Sequence, residues 1–202
     1  MERIVKWLVL AVMCIITPII YALDSNEVGA YLRGTQLENY LVLIVPARKL
    51  MPEQTREMTR CTGNKYVFLA LLMENNIPNT RGEWHNYDDT VMVILKDGTR
   101  SSSVSFVDDV KRGIDTIDFN FVTCRVLERL SYPIAFVYPG DYECRLVAFP
   151  KKFSWEDVKD IHLKFFGCDI IRLDIVKFDY VAFKNAIEGP HQKVFLGKII
   201  KN

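Results

Sequence analysis

The sequence lacks the short motifs that mark the common enzyme and cofactor-binding classes. It contains no C-x-x-C pair, no G-x-G-x-x-G or P-loop segment, and no G-x-S-x-G or H-E-x-x-H motif. Its 26 basic and 25 acidic residues leave a net charge of +1, without the basic excess that nucleic-acid binding requires. We therefore expect a protein that is not an enzyme, needs no cofactor and does not bind nucleic acid.

Histidine is also scarce, which restricts metal binding and acid–base chemistry to three positions. His85 stands near Asp88 and Asp89, but no second set of ligands at a metal-binding spacing accompanies it, so we expect a solvated loop and no metal site. His162 fits a helix face better than a catalytic base. A Cys–His enzyme needs an activated thiolate, and no cysteine stands in a nucleophile motif. An enzyme that combines His85 or His162 with a free cysteine is one hypothesis for the function.

What the chain does have is an uncharged apolar segment near its N-terminus. Arg3 and Lys6 precede the segment, residues 7–23 carry no charge, and Asp24 follows. This charge order predicts an N-terminus in the cytosol. The segment is longer than most signal-peptide cores and slightly short of the ~20 residues of a spanning helix, so residues 1–23 are predicted to be a cleaved signal peptide or a type II signal anchor. In both cases we expect the secretory pathway, with a membrane contact through residues 7–23 if the segment is retained.

Cysteine usage agrees with export. Of the five cysteines, Cys14 lies in the apolar segment, which leaves Cys61, Cys124, Cys144 and Cys168 for the folded part. In an oxidising compartment four cysteines allow two disulfides in three connectivities, and the sequence leaves the choice between them open.

The first part of the folded region mixes strand and helix signals. Tyr40–Val45 is a short apolar run that predicts a strand, and Pro52–Arg60 is compatible with a helix. Tyr66–Met73 is apolar throughout, and its leucine, alanine and methionine content favours a helix. Residues 75–89 are rich in turn formers and predict a loop.

The next signals are sharper. Val91–Leu95 and Ser102–Phe106 flank an Asp-Gly turn, which is typical of a β-hairpin. Ser105 and Asp108 have the spacing of a capping box, which predicts a helix that ends near Thr116.

Phe119–Leu127 then predicts a strand. Ile134–Tyr138 and Cys144–Phe149 predict a second hairpin. Ser154–Phe166 has the clearest helical stripe in the chain, and the alternation in residues 171–175 predicts a half-buried strand.

Together these elements predict an α+β fold, an antiparallel sheet with two or three packed helices after the N-terminal hydrophobic signal or anchor helix. The expected division is residues 1–23 as the leader, 24–38 as a polar connector and 39–202 as one domain. Phe178–Phe183 and Val194–Ile200 are further strand candidates.

The stretch Asp109–Leu130 resembles the signature of the BRICHOS domain. In that family an Asp opens a short helix, a Cys follows in a strand, and a second Cys stands at the end of a later amphipathic helix and pairs with the first. Ile161–Leu173 is similar to that second element, and the resemblance covers about residues 90–175.

The resemblance implies that Cys124 and Cys168 form a disulfide and that Asp109 is the third marked position, with a structural or pH-sensitive role. The segment between the two cysteines is shorter than is usual in the family. Cys144 is an additional thiol, unpaired unless it meets Cys61.

The resemblance further implies a non-enzymatic chaperone or proprotein role towards hydrophobic, β-prone segments. The chain carries such segments in Phe178–Phe183 and Val194–Leu196, although these residues could also complete the domain's own sheet. The alternative is a secreted recognition module, such as a surface or effector protein, that buries an exposed aromatic patch in a partner protein and has no chaperone activity.

Overall fold

The structure is a computed structural model that describes residues 27–32, 40–85, 88–150, 152–164, 171–178 and 200–201. The predicted leader, Cys168 and most of the candidate strands at the C-terminus lie outside the described residues.

The described chain forms eleven strands and four α-helices. The strands are β1 Glu27–Leu32, β2 Tyr40–Pro46, β3 Val67–Asn75, β4 Gly82–His85, β5 Val91–Leu95, β6 Arg100–Ser102, β7 Ile134–Val137, β8 Tyr142–Phe149, β9 Val158–Leu163, β10 Ile171–Phe178 and β11 Ile200–Lys201. The helices are α1 Ala47–Leu50, α2 Pro52–Cys61, α3 Val107–Thr116 and α4 Phe121–Ser131, and a 3-10 turn covers Trp155–Asp157. The predicted α+β class is confirmed.

Nine strands form one antiparallel sheet in the order β6-β5-β9-β10-β1-β2-β3-β8, with β11 beside β10. The sheet curls until its two ends meet. The contact between them is a backbone hydrogen bond of 2.9 Å, which Val104, just after β6, donates to the carbonyl of Ala148 in β8. β1 lies within the predicted connector, so the sheet begins earlier in the chain than expected.

Two apolar clusters lie on the two faces of this sheet. The inner cluster includes Val42, Leu71 and Trp84, and the small β4–β7 sheet contributes to it. The outer cluster lies between β2, β3 and β8 and the helices α2, α3 and α4. Helices packed on one side of an antiparallel sheet give the α+β arrangement.

The helix predicted for Tyr66–Met73 is wrong, because this segment is the central strand β3. Its residues alternate between the two clusters, with Leu69 and Leu71 on the inner face and Ala70 and Leu72 on the outer face. A strand buried on both faces is a continuous apolar run without a period of two, and burial overrides the helix propensity of leucine and alanine.

The helix predicted for Ser154–Phe166 is also wrong, since a short 3-10 turn is followed by strand β9. A β-bulge explains the error: Ile94 pairs with Asp160 and Leu95 with Val158, so Lys159 is an extra residue. The bulge leaves Val158 and Ile161 three residues apart on the buried face, which is a spacing that imitates a helix.

The strand predicted for Phe119–Leu127 is helix α4. The Asn120 side chain caps it by accepting a hydrogen bond of 2.8 Å from the N–H of Thr123. Leu127 and Leu130 then face the outer cluster. Asn is a strong N-cap residue, and this signal outweighs the β-prone composition of the segment.

The predicted hairpins have different outcomes. β5 and β6 pair around Gly98, which has φ +85°, so the hairpin forms, but β6 covers Arg100–Ser102 and not the predicted Ser102–Phe106. β7 and β8 both form, but β7 pairs with β4, inside the predicted loop 75–89, and β8 pairs with β3. The helix predicted to end near Thr116 forms as α3. The capping box predicted from Ser105 and Asp108 is wrong, because α3 starts after Phe106 and has no side-chain cap.

Candidate functional site

A groove of about 590 Å³ lies between α2, the start of β3 and the 3-10 turn. We call it the aromatic groove, because four aromatic residues contribute to its lining. These are Tyr66, Phe68, Phe153 and Trp155. Its size lies within the usual range for sites that take a small molecule or a few side chains of a protein partner.

One buried polar group of a residue that lines this groove lacks a hydrogen-bond partner among the described residues. Thr55, on α2, is buried, and its hydroxyl oxygen makes no hydrogen bond within the described part of the chain. Buried hydroxyls in folded proteins are normally hydrogen-bonded, so the unpaired hydroxyl of Thr55 is an exception beside the groove.

Positive charge flanks the aromatic groove. Arg48 and Arg56 both line it and are exposed. Arg56 also lies 3.5 Å from Glu57, at the side of α2 away from the groove. Guanidinium groups beside an apolar floor favour ligands that combine an apolar group with a carboxylate.

An ion-paired carboxylate fixes one wall of the groove. Tyr66 donates its hydroxyl to Oδ2 of Asp109 at 2.5 Å, and Lys65 lies 3.1 Å from Oδ1. Arg112 also bonds to Oδ1. The hydrogen bond from Tyr66 lowers the pKa of the Asp109 carboxyl to about 2, with smaller contributions from Arg112 and Lys65 and against the opposing effect of burial. Burial and the same bond raise the pKa of Tyr66 to about 12.

Asp109 is the carboxylate that the BRICHOS resemblance marks. Its side chain is 11% exposed and joins α3 to the segment that enters β3. Because its pKa is low, the carboxylate keeps its charge at neutral and mildly acidic pH. Its surroundings suit a structural role, with a response to pH only in strong acid.

The cysteines lie in two places. Cys61, at the end of α2, is buried and directs its Sγ to the carbonyl of Val110 at 3.2 Å. Cys124 is half-buried in α4, and its proximity adds to the effect of burial, which raises the pKa of the Cys61 thiol. Cys144 is half-buried in β8, and burial raises its pKa to about 12. A raised pKa disfavours the thiolate that a nucleophile needs.

In the structure no disulfide links Cys61, Cys124 and Cys144 to one another. Because Cys168 lies outside the described residues, the Cys124–Cys168 pairing stays a prediction. Cys124 lies in a helix instead of the strand that the resemblance called for.

Neither of the two described histidines belongs to a metal-binding group. His85 lies at the end of β4, where its Nε2 is 2.7 Å from Oε1 of Glu83. His162 belongs to β9 and pairs in register with Met92 and Arg172. Within the described ranges, no group of three His, Cys, Asp or Glu side chains could hold a metal ion.

A second groove, of about 450 Å³, lies on the other side of α2, against α4. Its lining is more strongly charged and includes Glu53, Glu57, Arg60 and Asp118. Arg60 is placed there over the ring of Phe119, 4.9 Å from the ring centre.

Sequence reasoning did not find Thr55, Tyr66 or Trp155 as groove residues. The sequence pattern places Trp155 on a helical stripe and Tyr66 at the start of a helix. Thr55 carried no signal at all, since an unpaired hydroxyl is recognised only once its surroundings are known.

Comparison with known proteins adds no relationship. No family model matches this chain, and searches of curated proteins and of solved structures give no significant match. Among the described residues, no helix is long and apolar enough to cross a membrane.

Proposed function

We propose that this chain is a non-enzymatic recognition protein, secreted or membrane-anchored, that binds a segment of another protein in the aromatic groove. The observation that carries the proposal is a groove lined by four aromatic residues, with the unpaired hydroxyl of Thr55 buried beside it. A hydrogen-bonding group surrounded by aromatic surface is the arrangement that gives both affinity and orientation to a bound segment.

The lining also indicates the chemistry of the partner. Trp155 and Phe153 offer apolar surface to an aliphatic or aromatic side chain, and Arg48 and Arg56 offer charge to a carboxylate. The partner segment therefore carries an apolar anchor next to an acidic residue, with a backbone or side-chain group that hydrogen-bonds to Thr55.

The BRICHOS-like chaperone role is the alternative proposal, and its support is the resemblance in the sequence. Strand addition to a client needs an open sheet edge. Of the two ends of the large sheet, β6 is three residues long and β8 is bridged to Val104. This geometry favours recognition in the groove over strand addition. A delay of fibril growth of a β-prone peptide at substoichiometric amounts would support the chaperone role instead.

The test is selection of a displayed random peptide library on the immobilised protein, followed by binding titration of the selected peptides. We expect peptides with paired apolar and acidic residues, and a loss of affinity of roughly tenfold or more in Trp155→Ala, as at other aromatic anchors. Tyr138→Ala is the matched control, because Tyr138 is an exposed aromatic residue that does not line the groove.

Thr55→Val separates the hydrogen bond from the packing. The substitution keeps the shape of the side chain and removes an unpaired polar group, so the fold is expected to be retained or slightly stabilised while peptide affinity falls. Peptides that bind Trp155→Ala and Thr55→Val as tightly as the native chain would rule out the groove.

A further inference from the structure

An exposed stripe runs the length of α4, opposite its buried residues. Its members are spaced as i, i+4, i+7 and i+11, which places them on one side of a helix. They are Phe121, Arg125, Glu128 and Tyr132, and we call them the α4 stripe. Phe121 is 72% exposed and Tyr132, the C-cap residue, is 55% exposed.

The side chains along the α4 stripe follow a symmetric order. Aromatic rings stand at both ends, and the two opposite charges stand between them. Arg125 lies over the Phe121 ring, 5.6 Å from its centre, which confirms that these two side chains share a face. Neither Arg125 nor Glu128 forms an ion pair with any described residue.

From this pattern we infer that the α4 stripe binds the α4 stripe of a second copy of this chain, with the two helices antiparallel. Reversal of the helix exchanges Phe121 with Tyr132 and Arg125 with Glu128. In this register Phe121 packs on the partner's Tyr132, and Arg125 pairs with the partner's Glu128, each contact occurring twice. The contact is isologous and closes at two copies. The stripe spans about 16 Å along the helix.

Charge selects this arrangement over the alternatives. In a parallel pairing Arg125 would face the partner's Arg125, and like charges in contact cost several kcal/mol. A purely acidic partner would match Arg125 and be repelled by Glu128. Arg129, the next basic residue of α4, is already held by Glu143 through two contacts of 3.0 Å. The α4 stripe is therefore complementary to itself when reversed.

The size of the contact sets its strength. A single helix pair of this length buries less surface than the interfaces of permanent dimers, so we expect a reversible dimer that depends on concentration. The inference does not rest on the proposed function, because the α4 stripe contributes no residue to the aromatic groove.

The test is sedimentation velocity of the full chain over a concentration series, with R125E and E128R as separate variants and as a mixture. Each variant places like charges opposite each other, so we expect its self-association to weaken roughly tenfold or more. The mixture restores two oppositely charged pairs across the interface, and we expect it to form a heterodimer with about the affinity of the native dimer. Self-association of either variant at native strength would overturn the inference, as would a native chain that stays monomeric at all concentrations.

A photo-crosslinking residue in place of Phe121 gives a second readout that does not depend on charge. The expected product joins this position to the peptide that contains the partner's Tyr132. Crosslinks to any other peptide, with no product at Tyr132, would contradict the register. The altered positions are exposed, so circular dichroism is expected to show an unchanged fold.

Discussion

Gly113 of α3 packs so tightly against Cys61 of α2 that a Cβ atom added to the glycine would overlap the carbonyl oxygen and the Sγ of the cysteine. The two helices approach at this point because one of them has no side chain there. The same contact lets the Cys61 thiol reach the carbonyl of Val110.

Gly113→Ala is expected to destabilise the protein, although alanine normally stabilises a helix over glycine by about 1 kcal/mol. The overlap involves backbone atoms, which cannot move aside, so we expect a loss of roughly 2 kcal/mol in the free energy of unfolding, measured with urea. Asp115→Ala, at an exposed position of the same helix, is the control and should change stability by no more than about 0.5 kcal/mol. A stabilised Gly113→Ala variant would contradict the close approach of the helices.

Asp109→Asn is expected to remove a pH-dependent part of the stability. The folded-state pKa of Asp109 is about 2, below its unfolded value, so the carboxylate stabilises the fold above about pH 4 and loses this effect as the pH falls towards 2. Lys65 and Arg112 are exposed and screened by solvent, so the contribution is roughly 1–2 kcal/mol.

Urea unfolding at pH 7 and pH 2.5 measures this effect. The difference between native and Asp109→Asn proteins should be clear at pH 7 and small at pH 2.5. Tyr66→Phe should reproduce part of it, because it removes the principal hydrogen bond to the carboxylate. Asp115→Asn serves as a control on the same helix, and an Asp109 effect that is equal at both pH values would show that the charge is not responsible.

Asn120→Ala is expected to weaken α4 by about 1 kcal/mol, because the N–H of Thr123 loses its side-chain acceptor. Asn120→Asp keeps the acceptor and should retain the stability. Equal losses in the two variants would show that the cap is not the stabilising feature.

Cys61 and Cys144 are expected to react slowly with iodoacetamide at pH 7.5 in the folded protein, because burial raises the pKa of both thiols. The same residues should react rapidly in urea, and mass spectrometry of the labelled peptides measures both rates. Fast labelling of either cysteine in the native state would be inconsistent with its burial.

The Cys124–Cys168 disulfide is a prediction from the BRICHOS resemblance, and peptide mapping without reduction tests it on protein collected from a secreting host. A linked pair of peptides that contain Cys124 and Cys168 is expected. A link from Cys124 to Cys61 would agree with the proximity of these two residues in the structure and would remove the main support for the resemblance.

Local signals predicted the parts of the fold that depend on local chemistry. The hairpin around Gly98 follows from its Asp-Gly turn, and the helix over Pro52–Cys61 follows from a polar segment that is compatible with a helix. The α+β class followed from the mixture of such elements. The segments that were assigned wrongly are those in which long-range packing determines the conformation, as for β3, or in which a bulge shifts the phase of a strand, as for β9.

In the candidate site, too, local sequence predicts some features and long-range packing decides the others. The sequence alone determined which reactive side chains are present: it has few histidines and no nucleophile motif. The BRICHOS resemblance marked Asp109, whose carboxylate bonds to Tyr66, Lys65 and Arg112. Only the tertiary structure decided that Tyr66 and Trp155 line one groove, because residues 66 and 155 are brought together by the sheet and not by spacing. It also left the Thr55 hydroxyl without a partner, since hydrogen-bond satisfaction depends on distances between segments that are remote in the chain.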